Sequence, residues 1–149
     1  MIDIKSYLSR GIKSGVLAGI FGAVLFGIYL TLVVLLTSQN FSSILVIFPY
    51  SMLGLPIGLL FGAICGLGIS YIVAKNDNIF PHIKILSVGM GSLAGIFYPL
   101  CLLVALIFFQ ETGNPQELQN AILVLFGGLF SGAIAGLIGC EFFLRFLNK

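Results

Sequence analysis

The sequence predicts an all-α membrane protein with four transmembrane helices. Four long apolar stretches lie at residues 15–36, 50–74, 85–109 and 121–144. Each is long enough for an α-helix to cross a hydrocarbon core about 30 Å thick, which takes about 20 residues. Charged residues make up 8 % of the chain and the mean hydropathy is +1.16, whereas soluble domains carry about 25 % charged residues. Since so few charges cannot cover a soluble surface, we expect a single integral membrane domain over residues 1–149.

The cationic residues are segregated to one side of these stretches, and this predicts the orientation. The seven are Lys5, Arg10, Lys13, Lys75, Lys84, Arg145 and Lys149. The two remaining connections, residues 37–48 and 110–120, contain no Lys or Arg. Cytoplasmic segments are enriched in Lys and Arg. We therefore expect a multi-pass protein with both termini in the cytoplasm, or in the stroma if the membrane belongs to a plastid or thylakoid.

The N-terminal residues have an amphipathic pattern of their own. Ile4, Leu8 and Ile12 recur every four residues, and charged and hydroxyl side chains occupy the other faces. This pattern is typical of a short basic helix that lies at the membrane surface. A positively charged flank of the first span would explain the same residues equally well.

Two pairs of matching segments indicate an internal duplication. GVLAGIF at residues 15–21 recurs as GSLAGIF at 91–97, and GAICGL at 62–67 recurs as GAIAGL at 132–137. Because each copy holds two crossings, both copies enter the membrane from the same side and the repeats are parallel. The predicted segments are a cytoplasmic amphipathic segment at 1–14, a first hairpin at about 15–74, a cytoplasmic loop at 75–84 and a second hairpin at about 85–147.

Glycines recur at four-residue spacing along the second and fourth spans. The positions are Gly54, Gly58, Gly62 and Gly66, followed by Gly128, Gly132 and Gly136. Residues four apart lie nearly above one another on a helix, so each set forms a smooth stripe at which another backbone approaches closely. Such small-residue faces hold helices together in lipid. The stripes could meet each other within one bundle or face another subunit.

Two further positions in the spans are candidates for a functional role. Glu141 is an ionisable residue inside an apolar stretch, which makes it a candidate proton or cation site. It also stands four residues before Arg145, in the favourable order for an ion pair along a helix, and a paired role near the interface explains it more simply. Pro99 removes the backbone hydrogen bond to the carbonyl of Gly95, which predicts a kink in the third span.

Residues for catalysis or cofactor binding are scarce. The three cysteines lack the CxxC spacing of metal and redox sites, and His82 is the sole histidine. We expect no enzyme activity, no metal, no cofactor and no nucleic-acid partner. Two functions remain. The favoured one is an accessory, assembly or structural subunit that packs by its GxxxG-type faces against a larger membrane complex or a second copy. The alternative is a small transporter or channel with its path between the two hairpins or between protomers.

Overall fold

Four α-helices make up the part of the chain that the computed structural model describes, which is residues 4–38, 42–76, 81–109 and 115–147. The helices are α1 (Ile4–Ser38), α2 (Ser42–Lys75), α3 (Ile83–Phe109) and α4 (Pro115–Leu147). The described residues outside the helices are few, and residues 81–82 form a 3₁₀ turn that leads into α3.

The ends of α2 and α4 follow from local backbone chemistry. Helix α4 starts at Pro115, a position where the missing N–H costs no helical hydrogen bond. Helix α2 ends with Lys75, and Arg145 lies in the last turn of α4. These cations complement the negative end of the helix dipole. After α2, the N–H of Asn76 donates to the carbonyl of Val73 at 3.3 Å, which closes the final turn.

Three of the four helices contain stretches long and apolar enough to cross a membrane. These are Ile4–Val33, Gly54–Lys75 and Ile122–Leu147. In α3 the apolar stretch over the described residues is Ile83–Phe97, which is shorter. Large apolar side chains cover the outside of the bundle, for example Leu93, which is 71 % exposed. This composition indicates a membrane protein, and the fourth crossing stays a prediction.

The helices run alternately up and down, as in an antiparallel four-helix bundle. Helix α1 packs against α2 and α4, and α3 packs against α4, while α2 and α3 are neighbours that pack less closely than the other three neighbouring pairs. The described Lys and Arg residues lie at the start of α1 and α3 and at the end of α2 and α4. Because neighbouring helices are antiparallel, these residues all gather at one end of the bundle, which we call the cationic end.

The structure corrects the prediction of a separate amphipathic helix at residues 1–14. Residues 4–14 are the first turns of α1, which continues without a break to Ser38. Gly11 lies against Gly66 and Ser70 of α2, and the ring of Tyr7 is 6.4 Å from that of Phe143. Small residues on this face let the segment continue along its neighbour, and Tyr7 packs within the bundle. Ile4 and Ile12 remain exposed on the outer face.

Candidate functional site

The two helices of the first hairpin touch through their backbones. A Cβ atom added to Gly62 would overlap the carbonyl oxygen of Gly15 and would lie 3.0 Å from the Cα of Gly19. The same relation holds one turn away on each side. The facing pairs are Gly58 with Gly19, Gly62 with Gly15, and Gly66 with Gly11.

The second hairpin has the same kind of contact. The facing pairs are Gly128 with Gly95, Gly132 with Gly91, and Gly136 with Ser87. Six of the seven glycines predicted for helix packing therefore contact a helix of their own hairpin. The exception is Gly54, because a Cβ there would meet no atom within 4 Å.

Pro99 packs into this second contact surface. The helix α3 continues through it, its side chain is buried, and its Cγ would lie 2.6 Å from a Cβ on Gly128. Gly128 must therefore remain a glycine for the proline ring to fit. The kink expected at Pro99 and Gly95 stays a prediction.

A cavity of about 120 Å³ lies between the two hairpins and is lined by residues of all four helices. Many of its lining residues are the glycines of the two contact surfaces, and Phe26, Phe61 and Ala94 are among the others. A dry apolar cavity of about 150 Å³ binds a molecule as large as benzene. The cavity is therefore large enough for a small apolar molecule or for part of a slender chain.

Three serines line the cavity; Ser14 and Ser131 donate to carbonyls of their own helices, whereas Ser87 of α3 lies against the thiol of Cys140 on α4. Ser14 donates to the carbonyl of Gly11 at 2.9 Å, and Ser131 donates to the carbonyl of Gly128 at 3.1 Å. Hydroxyls bonded in this way have used their one donor. Among the described residues, no buried side-chain nitrogen or oxygen lacks a hydrogen-bond partner. An ion needs polar groups to replace its hydration shell, and three serine hydroxyls on an otherwise largely apolar lining are too few. The cavity surface therefore suits an apolar ligand better than an ion.

The cavity is closed at the cationic end by a cluster of buried side chains. Val73, Ile83, Cys140 and Phe143 are each 3 % exposed or less and pack together there. Cys140 and Phe143 also line the cavity. The cluster therefore separates the cavity from the charged surface beyond it.

The seam between α1 and α4 joins the two hairpins firmly. A Cβ on Gly139 would lie 2.8 Å from the Cβ of Ala18, so the backbones approach closely there. The Tyr29 hydroxyl donates to the carbonyl of Leu123 at 2.8 Å. At the cationic end, Arg10 donates to the carbonyl of Leu147 at 3.3 Å, which satisfies an acceptor at the end of α4.

The structure pairs Glu141 with a different residue from the one expected. Its carboxylate lies 3.1 Å from the Lys84 ammonium of α3, and the two side chains are 55 % and 60 % exposed. The prediction that Glu141 pairs with Arg145 on the same helix was therefore wrong. Close contact between α3 and α4 brings Lys84 within reach, whereas Arg145 stays exposed.

The ion pair lies beside the cavity and contributes nothing to its lining. Both side chains are more than half exposed, so the pair lies at the surface of the cationic end. Neither Lys84 nor Glu141 lines the cavity, and a proton or ion site at Glu141 stays a prediction.

Sequence reasoning missed the cavity and the counterparts of the predicted glycine stripes. From the sequence pattern, Gly11 was expected in a helix at the membrane surface. Gly91 was noted only as part of a repeated segment, without a role in helix packing. The signal for Gly91 is nevertheless present, since it belongs to the segment that matches residues 15–21. Within the described ranges, no three His, Cys, Asp or Glu side chains come close enough to hold a metal ion.

Comparisons with known protein families, curated proteins and solved structures gave no match. The function proposed below is therefore argued from the geometry of the described residues.

Proposed function

We propose that this protein is a small integral membrane transporter that carries an apolar molecule through the cavity between its two hairpins. The observation that carries the proposal is the cavity of about 120 Å³ bounded by both hairpins. Its largely apolar lining favours an apolar solute over an ion. The lining has few polar groups. This disfavours an ion channel and suits the passage of an apolar solute.

We also propose that the two hairpins are parallel copies of one unit held by glycine stripes. Gly15 faces Gly62 in the first hairpin, and Gly91 faces Gly132 in the second. These four residues occupy matching places in the repeated segments, which supports a duplication. Two parallel copies are related by an axis along the membrane normal, and transporters built from repeats place their sites at the interface between the copies.

The proposed topology places the cationic end of the bundle at the cytoplasm, or at the stroma in a plastid. The described Lys and Arg residues gathered there support this orientation.

A function as an accessory or assembly subunit is less well supported by the contacts. That function relied on the glycine faces of α2 and α4 for binding another subunit or a second copy. Six of those glycines face helices of their own hairpin. A partner subunit would have to bind large exposed side chains such as Phe130, which is 62 % exposed, and these side chains suit the lipid bilayer equally.

The test of the proposed function is photolabelling of the cavity with a small alkyl diazirine. Ala94 lines the cavity, whereas Ala133 of α4 does not. Ala94→Leu should fill the cavity and should remove labelling from the cavity-lining peptides. Ala133→Leu introduces the same side chain outside the cavity and should label like the unmodified protein. Size-exclusion elution and circular dichroism establish that both variants fold.

Equal labelling of the cavity peptides in the two variants would contradict the proposal. So would the absence of any label from those peptides in the unmodified protein, provided that lipid-facing peptides are labelled.

A further inference from the structure

We infer that the ligand is the hydrocarbon chain of a lipid and that it enters the cavity sideways from the bilayer, between α2 and α3. This inference rests on the proposed function and adds to it a ligand class and a route of entry.

The wall between the cavity and the lipid is one side-chain pair thick at this seam. Phe61 of α2 lines the cavity. Its ring centroid lies 4.9 Å from that of Phe97 of α3, and Phe97 is 50 % exposed on the outer surface. Rotation of these two rings would open the cavity further to the exterior at this seam.

The next contact along the seam joins a side chain of α2 to the backbone of α3. The thiol of Cys65, which lines the cavity, donates to the carbonyl of Met90 at 3.9 Å. The terminal methyl of Met90 is the atom near Gly68 of α2. A methionine side chain is flexible and adapts to a changing neighbour, so the contact of Met90 with Gly68 does not hold the seam closed rigidly. The thiol of Cys65 is a weak donor, so its bond to the backbone of α3 adds little.

The other three seams are closed by backbone or by firm hydrogen bonds. Gly15 lies against Gly62 between α1 and α2, and Gly91 lies against Gly132 between α3 and α4. The Tyr29 hydroxyl bonds α1 to α4. Side-chain rotation alone cannot open a backbone contact, so within the described parts of the four helices the seam between α2 and α3 is the one suited to admit a ligand.

The surroundings of the seam determine what reaches it. Leu60 and Ile64 of α2 and Leu93 of α3 are 65 %, 60 % and 71 % exposed, and in a membrane such side chains lie against lipid tails. The buried cluster around Phe143 blocks entry from the cationic end. A cavity of about 120 Å³ cannot take a helix about 10 Å wide, but it admits a segment of a slender chain. Acyl chains are the abundant molecules of that shape in a bilayer.

Brominated phosphatidylcholine tests this directly, because bromine on an acyl chain quenches tryptophan fluorescence only near contact. The chain contains no Trp, so a single reporter can be introduced. Phe26→Trp places it in the cavity, and Phe130→Trp places it on the exposed surface. The native cysteines are first replaced by alanine in both reporter proteins.

The seam is then locked with a short bis-maleimide between Phe61→Cys and Phe97→Cys. The matched control links Lys84→Cys to Glu141→Cys, a pair that lies within the second hairpin and outside the cavity. Protein in vesicles of unmodified phosphatidylcholine receives brominated phosphatidylcholine by cyclodextrin exchange, and fluorescence is followed over time.

We expect both reporters to be quenched in the unlinked protein and in the control-linked protein. Locking the α2–α3 seam should abolish the quenching of Phe26→Trp and leave that of Phe130→Trp unchanged. Equal quenching of Phe26→Trp in the locked protein would overturn the lateral route.

Failure of the inference and failure of the proposed function give different results. If Phe26→Trp is never quenched but the cavity takes the alkyl diazirine, the lipid-chain ligand is overturned and the apolar cavity is retained. If the cavity takes neither probe, the proposed function fails as well.

Discussion

Replacing Gly62 by alanine should separate α1 from α2 and destabilise the first hairpin. The added Cβ would overlap the carbonyl oxygen of Gly15 and would lie 3.0 Å from both the Cα and the N of Gly19. All of these are backbone atoms, so no side-chain rotation relieves the overlap. Gly54→Ala in the same helix is the matched control, because its Cβ would meet nothing within 4 Å.

The size of the effect follows from these distances. Ordinary contact begins at 3.4 Å, so the backbone of Gly19 is at least 0.4 Å too close and that of Gly15 is closer still. Overpacking of this kind costs about 1 to 3 kcal/mol, and each weak Cα–H···O hydrogen bond that breaks as the helices separate costs about 0.5 to 1 kcal/mol more. We expect Gly62→Ala to lower the free energy of unfolding by about 2 to 4 kcal/mol. Gly54→Ala should change it by less than about 1 kcal/mol and in the stabilising direction, because alanine favours a helix.

Thiol accessibility reports the unfolding without an added probe site. Cys140 is 2 % exposed and becomes reactive when the bundle opens. Cys65 and Cys101 are replaced by alanine in every variant, so that a fluorogenic maleimide reports Cys140 alone. Each variant is titrated with SDS in mixed micelles, and the reaction is followed. If Gly62→Ala unfolds at the same SDS fraction as Gly54→Ala, the backbone contact between α1 and α2 does not hold the hairpin, and the reasoning is refuted.

Three further predictions concern the second hairpin, the ion pair and the orientation. Gly132→Ala should destabilise the protein much as Gly62→Ala does, whereas Gly89→Ala should be neutral because its Cβ would meet nothing within 4 Å; equal SDS midpoints for these two variants would contradict this. Glu141→Gln should leave the SDS midpoint and the diazirine labelling unchanged, since its partner Lys84 is exposed and neither residue lines the cavity; a loss of cavity labelling would show that the carboxylate contributes to the site. A membrane-impermeant amine reagent applied outside intact cells should not modify Lys75 or Lys84, and modification there would reverse the proposed topology.

Sequence reasoning located the helices well, because long apolar stretches and the charges between them depend only on local composition. Helix α2 ends at Lys75 and α3 starts at Ile83, and the cytoplasmic loop at 75–84 stays a prediction. The start of α1 was less predictable. Gly11 and the buried Ser14 lie on the face that packs against the bundle, and their role depends on a helix far along the chain.

The pairing of Glu141 shows the same limit. The sequence indicated Arg145 as its partner because residues four apart on one helix are always near each other. Lys84 is closer only because α3 and α4 approach through glycines, and the relative register of two helices depends on how their backbones fit together.

The membrane character, the helical class and the positions of the small residues follow from the order of the amino acids, since each depends on a residue and its near neighbours. The tertiary structure decides which glycine faces which and leaves the cavity between the hairpins. Both depend on how the surfaces of the four helices fit together in three dimensions. Helices that meet through glycine come into backbone contact, as in each hairpin. Where α2 meets α3 through Phe61 and Phe97, the side chains hold the backbones apart and a space remains inside.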